Sequence, residues 1–347
     1  MKRKITIGVT GLNAIDSPGP GVSVIRGLLE STKYECRIIG LSYESLEPGI
    51  YMHDLVDKSY SIPYPSAGTR ILMERLAYIQ EKEQMDVIIP NFDAELFLFM
   101  KLEAELKEMG ISMFLPTQKQ FEERQKHNLP EFGKKYDILV PFSKTIYSTA
   151  ELYGLGDEFD YPIVVKGKYY EASVAQSADQ AVNYFHKISS KWGLPIIIQQ
   201  FVDGSEYNIT GLGDGKGNML AAVPMRKQYI TDKGKAWGGI SIDDEEMIEL
   251  TRHFLEQTKW KGGFELELMK SKEGKFYLLE INPRIPAWIY LAVGCGQNIP
   301  EALVALALDE KVEPYQTYDV GKMFIRYSWD MIVDVEEYQK ISTLGEL

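Results

Sequence analysis
Gly263-Phe-Glu-Leu-Glu-Leu-Met-Lys-Ser-Lys-Glu-Gly-Lys-Phe-Tyr-Leu-Leu-Glu-Ile-Asn-Pro-Arg284 is the stretch on which the reading of the chain turns. It reads as two alternating strands joined at Glu273-Gly274, a favourable pair for a two-residue hairpin turn. With that turn, Glu267 faces Glu280 and Glu265 faces Asn282. Residues two apart on a strand share a face, so all four polar groups point the same way. Opposed carboxylates among apolar neighbours repel and are costly to bury unless protonated, paired with a cation or holding a metal. Two carboxylates and an amide oxygen are the hard donors that Mg2+ prefers. Glu267, Glu280 and Asn282 are therefore the candidate metal ligands. Arg284, two residues beyond Asn282 on the same side, could hold an anionic substrate or a phosphoryl group. The competing reading is a solvated acidic strand face. The apolar run Phe276-Tyr-Leu-Leu279 before Glu280, and Asn-Pro-Arg after it, favour a site.

Working outward, strand and helix patterns alternate over residues 1–116: an apolar run at 4–10, strands near 35–41, 54–60 and 86–90, and helices near 20, 66–84 and 94–109. Ser66 is the expected cap of the second helix, and Ile111–Leu115 a last strand. This spacing implies a parallel, doubly wound sheet. After Pro116 the pattern changes. A linking helix at 117–128 leads to strands at 137–141, 161–168 and 171–177 around a helix at 145–154. Helix 178–192 and strand 195–202 follow, then a hairpin turning at Asp214-Gly215, helix 243–259 and the carboxylate hairpin.

Taken together, these segments resemble the ATP-grasp superfamily. Glu267 followed by Glu280-Ile-Asn282-Pro-Arg284 matches the family's metal motif. The resemblance covers roughly 117–310, and residues 1–116 resemble the Rossmann-like domain that usually precedes the grasp. It implies an α/β N-terminal domain (1–116), grasp subdomains at 117–200 and 201–312, and a C-terminal segment, 313–347, without an assigned role. Lys166, closing the strand Tyr161-Pro-Ile-Val-Val-Lys166, and Lys126 look like the family's two phosphate-binding lysines. Gln200, Phe201 and Val202 resemble the hinge that reads adenine, and Glu206 the carboxylate that takes the ribose hydroxyls. Many relatives have a glycine-rich phosphate loop between these strands. Here it is Gly167-Lys-Tyr-Tyr-Glu-Ala-Ser173, where Lys168 and Ser173 stand in as charge and hydroxyl. Arg226, Lys233 and Lys235 fall in a cationic loop, 226–239, placed like the family's mobile loop over the triphosphate. Trp237 and Trp288 are either pocket walls or core.

The resemblance implies ATP and Mg2+ as cofactors, with two ions expected and Mn2+ as an alternative. The implied chemistry activates a small-molecule or peptide carboxylate as an acyl phosphate and couples it to an amine acceptor, releasing ADP and phosphate. The alternative is a catalytically weak nucleotide-binding regulatory or scaffold protein. A homodimer is suggested by relatives. Composition agrees with a globular enzyme: 45% apolar, 25% charged, two cysteines. The net charge of -12 argues against nucleic acid. No apolar run approaches a membrane span, no signal peptide is evident, and a cytoplasmic location is expected.

Overall fold
The computed structural model describes residues 2–347 apart from Asp16, Asp157, Tyr169, Tyr170, Asp232 and Lys233. The chain forms two units: Met1–Gln118 with Ile209–Glu265 and Asn282–Leu347, and Lys119–Asn208 with Leu266–Ile281. The first unit opens with β1 (Arg3–Val9), α1 (Pro20–Leu29), β2 (Tyr34–Ser42), β3 (Lys58–Ser61), α2 (Thr69–Glu83), β4 (Val87–Ile89) and α3 (Asp93–Glu108). The strands pair in parallel in the order β3-β2-β1-β4. Ile5, Ile7, Val9, Ile38 and Ile39 are all buried, as expected of parallel strands covered on both faces.

The carboxyl ends of β1 and β4 are tied by one side chain. Glu95, fully buried, accepts from Thr10 Oγ1 at 2.5 Å and from the Asn91 and Phe92 amides at 2.6 and 2.9 Å. The Asn91 amide also reaches Thr10 Oγ1, at 2.8 Å, whereas the Phe92 amide at the start of α3 depends on Glu95. Gly11, at φ +79°, permits the close turn between these ends, because a Cβ there would sit 2.8 Å from Asn91 Cβ. Two expectations fail here. Ser66 lies in a 3-10 turn (Pro65–Ala67), and α2 starts after Gly68 with no side-chain cap. Residues 111–115 contribute only an isolated bridge, Ser112 to Val87, because β4 is three residues long and offers little edge to pair with.

The second unit continues with α4 (Gln118–Glu123), a 3-10 turn at Lys126–Asn128, α5 (Leu129–Tyr136), β5 (Ser143–Ile146), α6 (Thr149–Tyr153), β6 (Ile163–Gly167), β7 (Ala172–Ala175), α7 (Ala178–Trp192) and β8 (Ile196–Gln200). Its sheet is antiparallel, ordered β5-β8-β6-β7. α7 lays Ala181, Phe185 and Ile188 on Val165, Ile196 and Ile198. The strand expected at 137–141 is displaced to β5: α5 ends on left-handed Asp137, and Pro141 lacks a ladder donor. The helix expected at 145–154 shrinks to the five residues of α6.

The remaining elements are β9 (Gly204–Asp214), β10 (Met219–Ile230), β11 (Ala236–Ser241), α8 (Glu245–Thr258), β12 (Lys261–Ser271), β13 (Phe276–Asn282), α9 (Tyr290–Gly294), α10 (Ile299–Ala307), β14 (Met323–Ile325) and α11 (Val335–Leu344). The strands follow the order β13-β12-β9-β10-β11-β14. The presumed cationic loop is therefore shorter than expected: Arg226 lies on β10 opposite Ile240, and Trp237 lies on β11. The carboxylate hairpin also turns differently. Gly274 (φ +85°) donates to Ser271 O and Ser271 donates to Lys275 O, each at 2.9 Å. The turn is a residue longer than the expected Glu273-Gly274 pair, and the pairing beside it shifts by one.

In the first unit α1 packs on α9 and α10. Glu301, buried at the start of α10, accepts from Ser31 Oγ at 2.5 Å and from the Thr32 and Lys33 amides at 2.6 and 3.2 Å. The chain's last residue exchanges backbone hydrogen bonds with Ser59, 2.8 Å each way.

Candidate active site
In the second unit, alternation along β6 buries Val165 in the core and turns Lys166 to the opposite face. The 3-10 turn brings Lys126 beside Glu280, with Nζ 3.0 Å from Oε2. Burial and the neighbouring Glu267 push the Glu280 carboxyl up, while Lys126 and Lys166 oppose them. Burial, with Lys126 adding to it, pulls the Lys166 ammonium down to about 8, and Glu280, Glu267 and Glu206 partly offset this. Two lysines and three carboxylates thus sit within electrostatic reach of one another, in surroundings that penalise any imbalance of charge. Lys168 is near enough to His127 to help burial lower that imidazole's pKa. Ser173 pairs with Val165, next to Lys166. Gln200 ends β8 with its amide on Phe142 O at 2.8 Å, and Phe201 and Val202 follow without regular structure.

Lys166 gives a signed prediction. Its lowered pKa means that near pH 8.5 it is largely neutral in the free protein. An added polyphosphate favours the charged form and raises the pKa again. Nucleotide binding at pH 8.5 is therefore accompanied by uptake of up to about one proton. Calorimetry in buffers of different ionisation enthalpy measures it. Lys166→Met abolishes the uptake; uptake that persists in that variant removes Lys166 from the phosphate site.

In the first unit, Glu265 is buried and accepts from Asn282 Nδ2 at 2.9 Å and from Trp288 Nε1 at 2.6 Å. Holding the Asn282 amide nitrogen fixes the rotamer and makes its oxygen, a hard donor, the end that a cation would meet. Arg284 Nε donates to Asp93 Oδ1 at 2.8 Å. Trp288 is therefore a buried positioning group rather than a pocket wall. Arg326 was missed by the sequence reading. Burial lowers its pKa while Glu265 opposes the shift, and its Nη1 donates to Pro18 O at 3.4 Å. Its only signal is one cation amid the apolar alternation Met323-Phe-Ile-Arg-Tyr. Arg226 is exposed on β10, and Lys235 is exposed with its amide 3.2 Å from Thr231 Oγ1. Lys233 lies outside the described residues. Among the described residues no three His, Cys, Asp or Glu side chains gather as a metal cage. In the second unit the Glu267 and Glu280 carboxylates, and in the first unit the oriented Asn282 amide oxygen, are each hard donors of the kind that Mg2+ takes, and burial with the neighbouring Glu267 raises the Glu280 carboxyl.

A family model described as "ATP-grasp in the biosynthetic pathway with Ter operon" matches residues 194–327, the span that holds the carboxylate hairpin. Over those residues the chain is similar to the ATP-grasp family. The chain is 22% identical over 276 residues to the carbamoyl phosphate synthase large chain of Clostridium beijerinckii, covering 75% of this chain and 25% of that one. It is 21% identical over 160 residues to the D-alanine–D-alanine ligase of Pseudomonas entomophila, covering 42% and 49%. It thus spans a quarter to a half of the curated relatives it matches. Among solved structures, the biotin carboxylase domain dimer of the Hydrogenobacter thermophilus 2-oxoglutarate carboxylase, in complex with MgADP, ADP and bicarbonate, has a TM-score of 0.71. Identity there is 16%, over 92% of this chain and 73% of that one. The L-amino acid ligase of Bacillus licheniformis has a TM-score of 0.62 at 16% identity, over 90% and 78%. These likenesses establish the ATP-grasp fold. No helix among the described residues is long and apolar enough to cross a membrane.

Proposed function
We propose that this ATP-grasp chain is an ADP-forming carboxylate–amine ligase. The observation that carries the reading is the cluster of Lys126, Lys166, Glu206, Glu267 and Glu280, two cations against three carboxylates, whose ammonium groups are poised to exchange partners with a polyphosphate. Joining a carboxylate to an amine in water is uphill, so the carboxylate must first acquire a better leaving group. Transfer of the γ-phosphoryl group of ATP gives an acyl phosphate and ADP, and the amine then displaces phosphate. Catalysis of this kind is mostly positioning and charge neutralisation. Lys126 and Lys166 hold the phosphates, aided by Lys168 and Ser173. The backbone at Phe201 and Val202 reads adenine beside Gln200, and Glu206 accepts the ribose hydroxyls. Mg2+ bound to Glu267, Glu280 and Asn282 would supply neutralisation of the transferring group. Arg284, steadied by Asp93, meets the substrate carboxylate, and Lys235 approaches the phosphates from the segment between β10 and β11. The setting is cytoplasmic, and the partners are a small-molecule or peptide carboxylate and an amine.

A screen of pooled carboxylic acids and amines with ATP and Mg2+, following phosphate and ADP, tests this reading. Release that requires both substrate classes is expected. ATP binding without release from any pool would sink the ligase reading and leave a nucleotide-binding scaffold. One observation favours that second reading. The Gly167 amide, which could serve a phosphate, donates instead to Glu171 O at 2.9 Å, and Glu171 is itself ion-paired to Lys187 at 2.9 Å.

A further inference from the structure
β14 is the outermost strand of its sheet, after β11. Gly238, Gly239 and Ile240 pair with Ile325, Phe324 and Met323. Ser241 N–H on Lys322 O (2.8 Å) and Arg326 N–H on Trp237 O (2.9 Å) extend that pairing at both ends. In an antiparallel ladder successive residues point their backbone groups to opposite sides. The even-numbered residues 322, 324 and 326 therefore serve β11, and 323 and 325 turn theirs to the outer edge, as 327 and 329 do once the strand is extended.

The outward residues are also the apolar, exposed ones. Met323, Ile325, Tyr327 and Trp329 are 55%, 68%, 70% and 85% exposed. Tyr229 stands in the same cross-strand row as Ile325, across the bare backbone of Gly238, and is equally open. Phe324, facing the other way, packs against the core. An edge carrying an apolar ladder is a template for another strand.

We propose that this edge pairs antiparallel with the same segment of a second copy of the chain, about a two-fold axis at Arg326. Self-pairing requires outward backbone groups to meet, so odd residues must face odd ones, which leaves few registers. An axis at 326 sets Met323 against Trp329 and Ile325 against Tyr327. It also sets Lys322 against Asp330, once on each side of the axis. Axes at 324, 325 or 327 would set Lys322 against Arg326, Ser328 or Ile332, with no opposite charge in any of them, and an axis at 328 would set Arg326 against Asp330 and Lys322 against Asp334 only by drawing Arg326 off Pro18 O and running the strand into the start of α11. Arg326 on the axis is drawn inward by Pro18 O and Glu265. Residues 326–330 extend the strand on pairing, and Lys322 gives up its exposed contact with Asp319, 3.7 Å away. An isologous contact of this kind closes on itself, so assembly stops at two.

Sedimentation of the full chain over a range of concentrations tests the proposal, with circular dichroism to confirm folding of each variant. A reversible dimer is expected, and Ile325→Asp abolishes it. Lys322→Glu and Asp330→Lys each weaken dimerisation at least tenfold, by setting like charges face to face, and the combined variant restores it. A monomer at every concentration overturns the proposal, including one that instead floats with phospholipid vesicles. So does a dimer indifferent to Ile325→Asp, which must use another face. Failure of the combined variant to recover, while both single variants are monomeric, overturns the register.

Discussion

Replacing Glu280 by Ala reduces ATP-dependent phosphate release by on the order of 100-fold or more, while ATP binding changes far less and the fold is retained. The magnitude is that of removing one preorganised electrostatic group from a transferring centre. The direction follows from the position of Glu280. It is held by Lys126 at 3.0 Å, with Glu267 and Lys166 acting on the same carboxyl. Removing the carboxylate leaves both ammonium groups for the nucleotide phosphates, so binding need not suffer. What is lost is the anionic donor for the metal. Burial works against the charged form of Glu280, which offsets part of the stability lost when Lys126 is left without its partner at 3.0 Å. Steady-state phosphate release, nucleotide titration and thermal melting on one preparation separate these effects. Wild-type turnover in the variant would remove Glu280, and with it the metal assignment, from the mechanism.

Glu265→Leu is expected to act in the opposite way, through stability first. Glu265 is the buried acceptor for both Trp288 Nε1 and Asn282 Nδ2. An apolar replacement strands two buried donors, at about 1–3 kcal/mol each, for a total loss of about 2–6 kcal/mol. Leu rather than Ala keeps most of the volume, so a cavity contributes little. Denaturant unfolding of the variant shows the loss as a lower midpoint. A midpoint unchanged from wild type would mean that water replaces the carboxylate and that Glu265 is not the anchor of Asn282. Activity falls too, because Asn282 loses the partner that orients its amide.

The local signals that were legible were those that the neighbouring sequence settles. α7 spans the expected 178–192 because Ser177 caps it and Gly193, at positive φ, stops it. The acid-rich hairpin was readable because Pro283 and the glycines bracket two alternating runs. Its turn was misjudged, since Glu273-Gly274 serves a two-residue turn and a three-residue turn closed by a left-handed glycine equally well. The site was less legible where it depends on distant partners. That Lys126 meets Glu280, that Arg284 meets Asp93 and that Arg326 lies near Glu265 are all facts of tertiary folding with no local signature. β14, three residues long in a stretch of mixed polarity, carries too few positions for a period to show. The charged and polar run after Arg226 has the composition of a loop, yet pairing with Ile240 on β11 holds Arg226 in a strand.

The way α1 is covered has a consequence for biosynthesis. Val24, Ile25 and Leu28 share their core with Ile285, Ile289, Ile299 and Val304, and Ser31 waits for Glu301. A ribosome delivers these partners only after the whole of the second unit. At ~5–20 residues per second, the amino-terminal sheet emerges on the order of tens of seconds before the helices that seal it. During that interval its apolar side is open to chaperones and to other nascent chains, while the second unit's four-stranded sheet already has all its strands. Slowing translation between the codons for residues 119 and 284 should therefore lower the yield of soluble protein, whereas a pause after residue 307 should not.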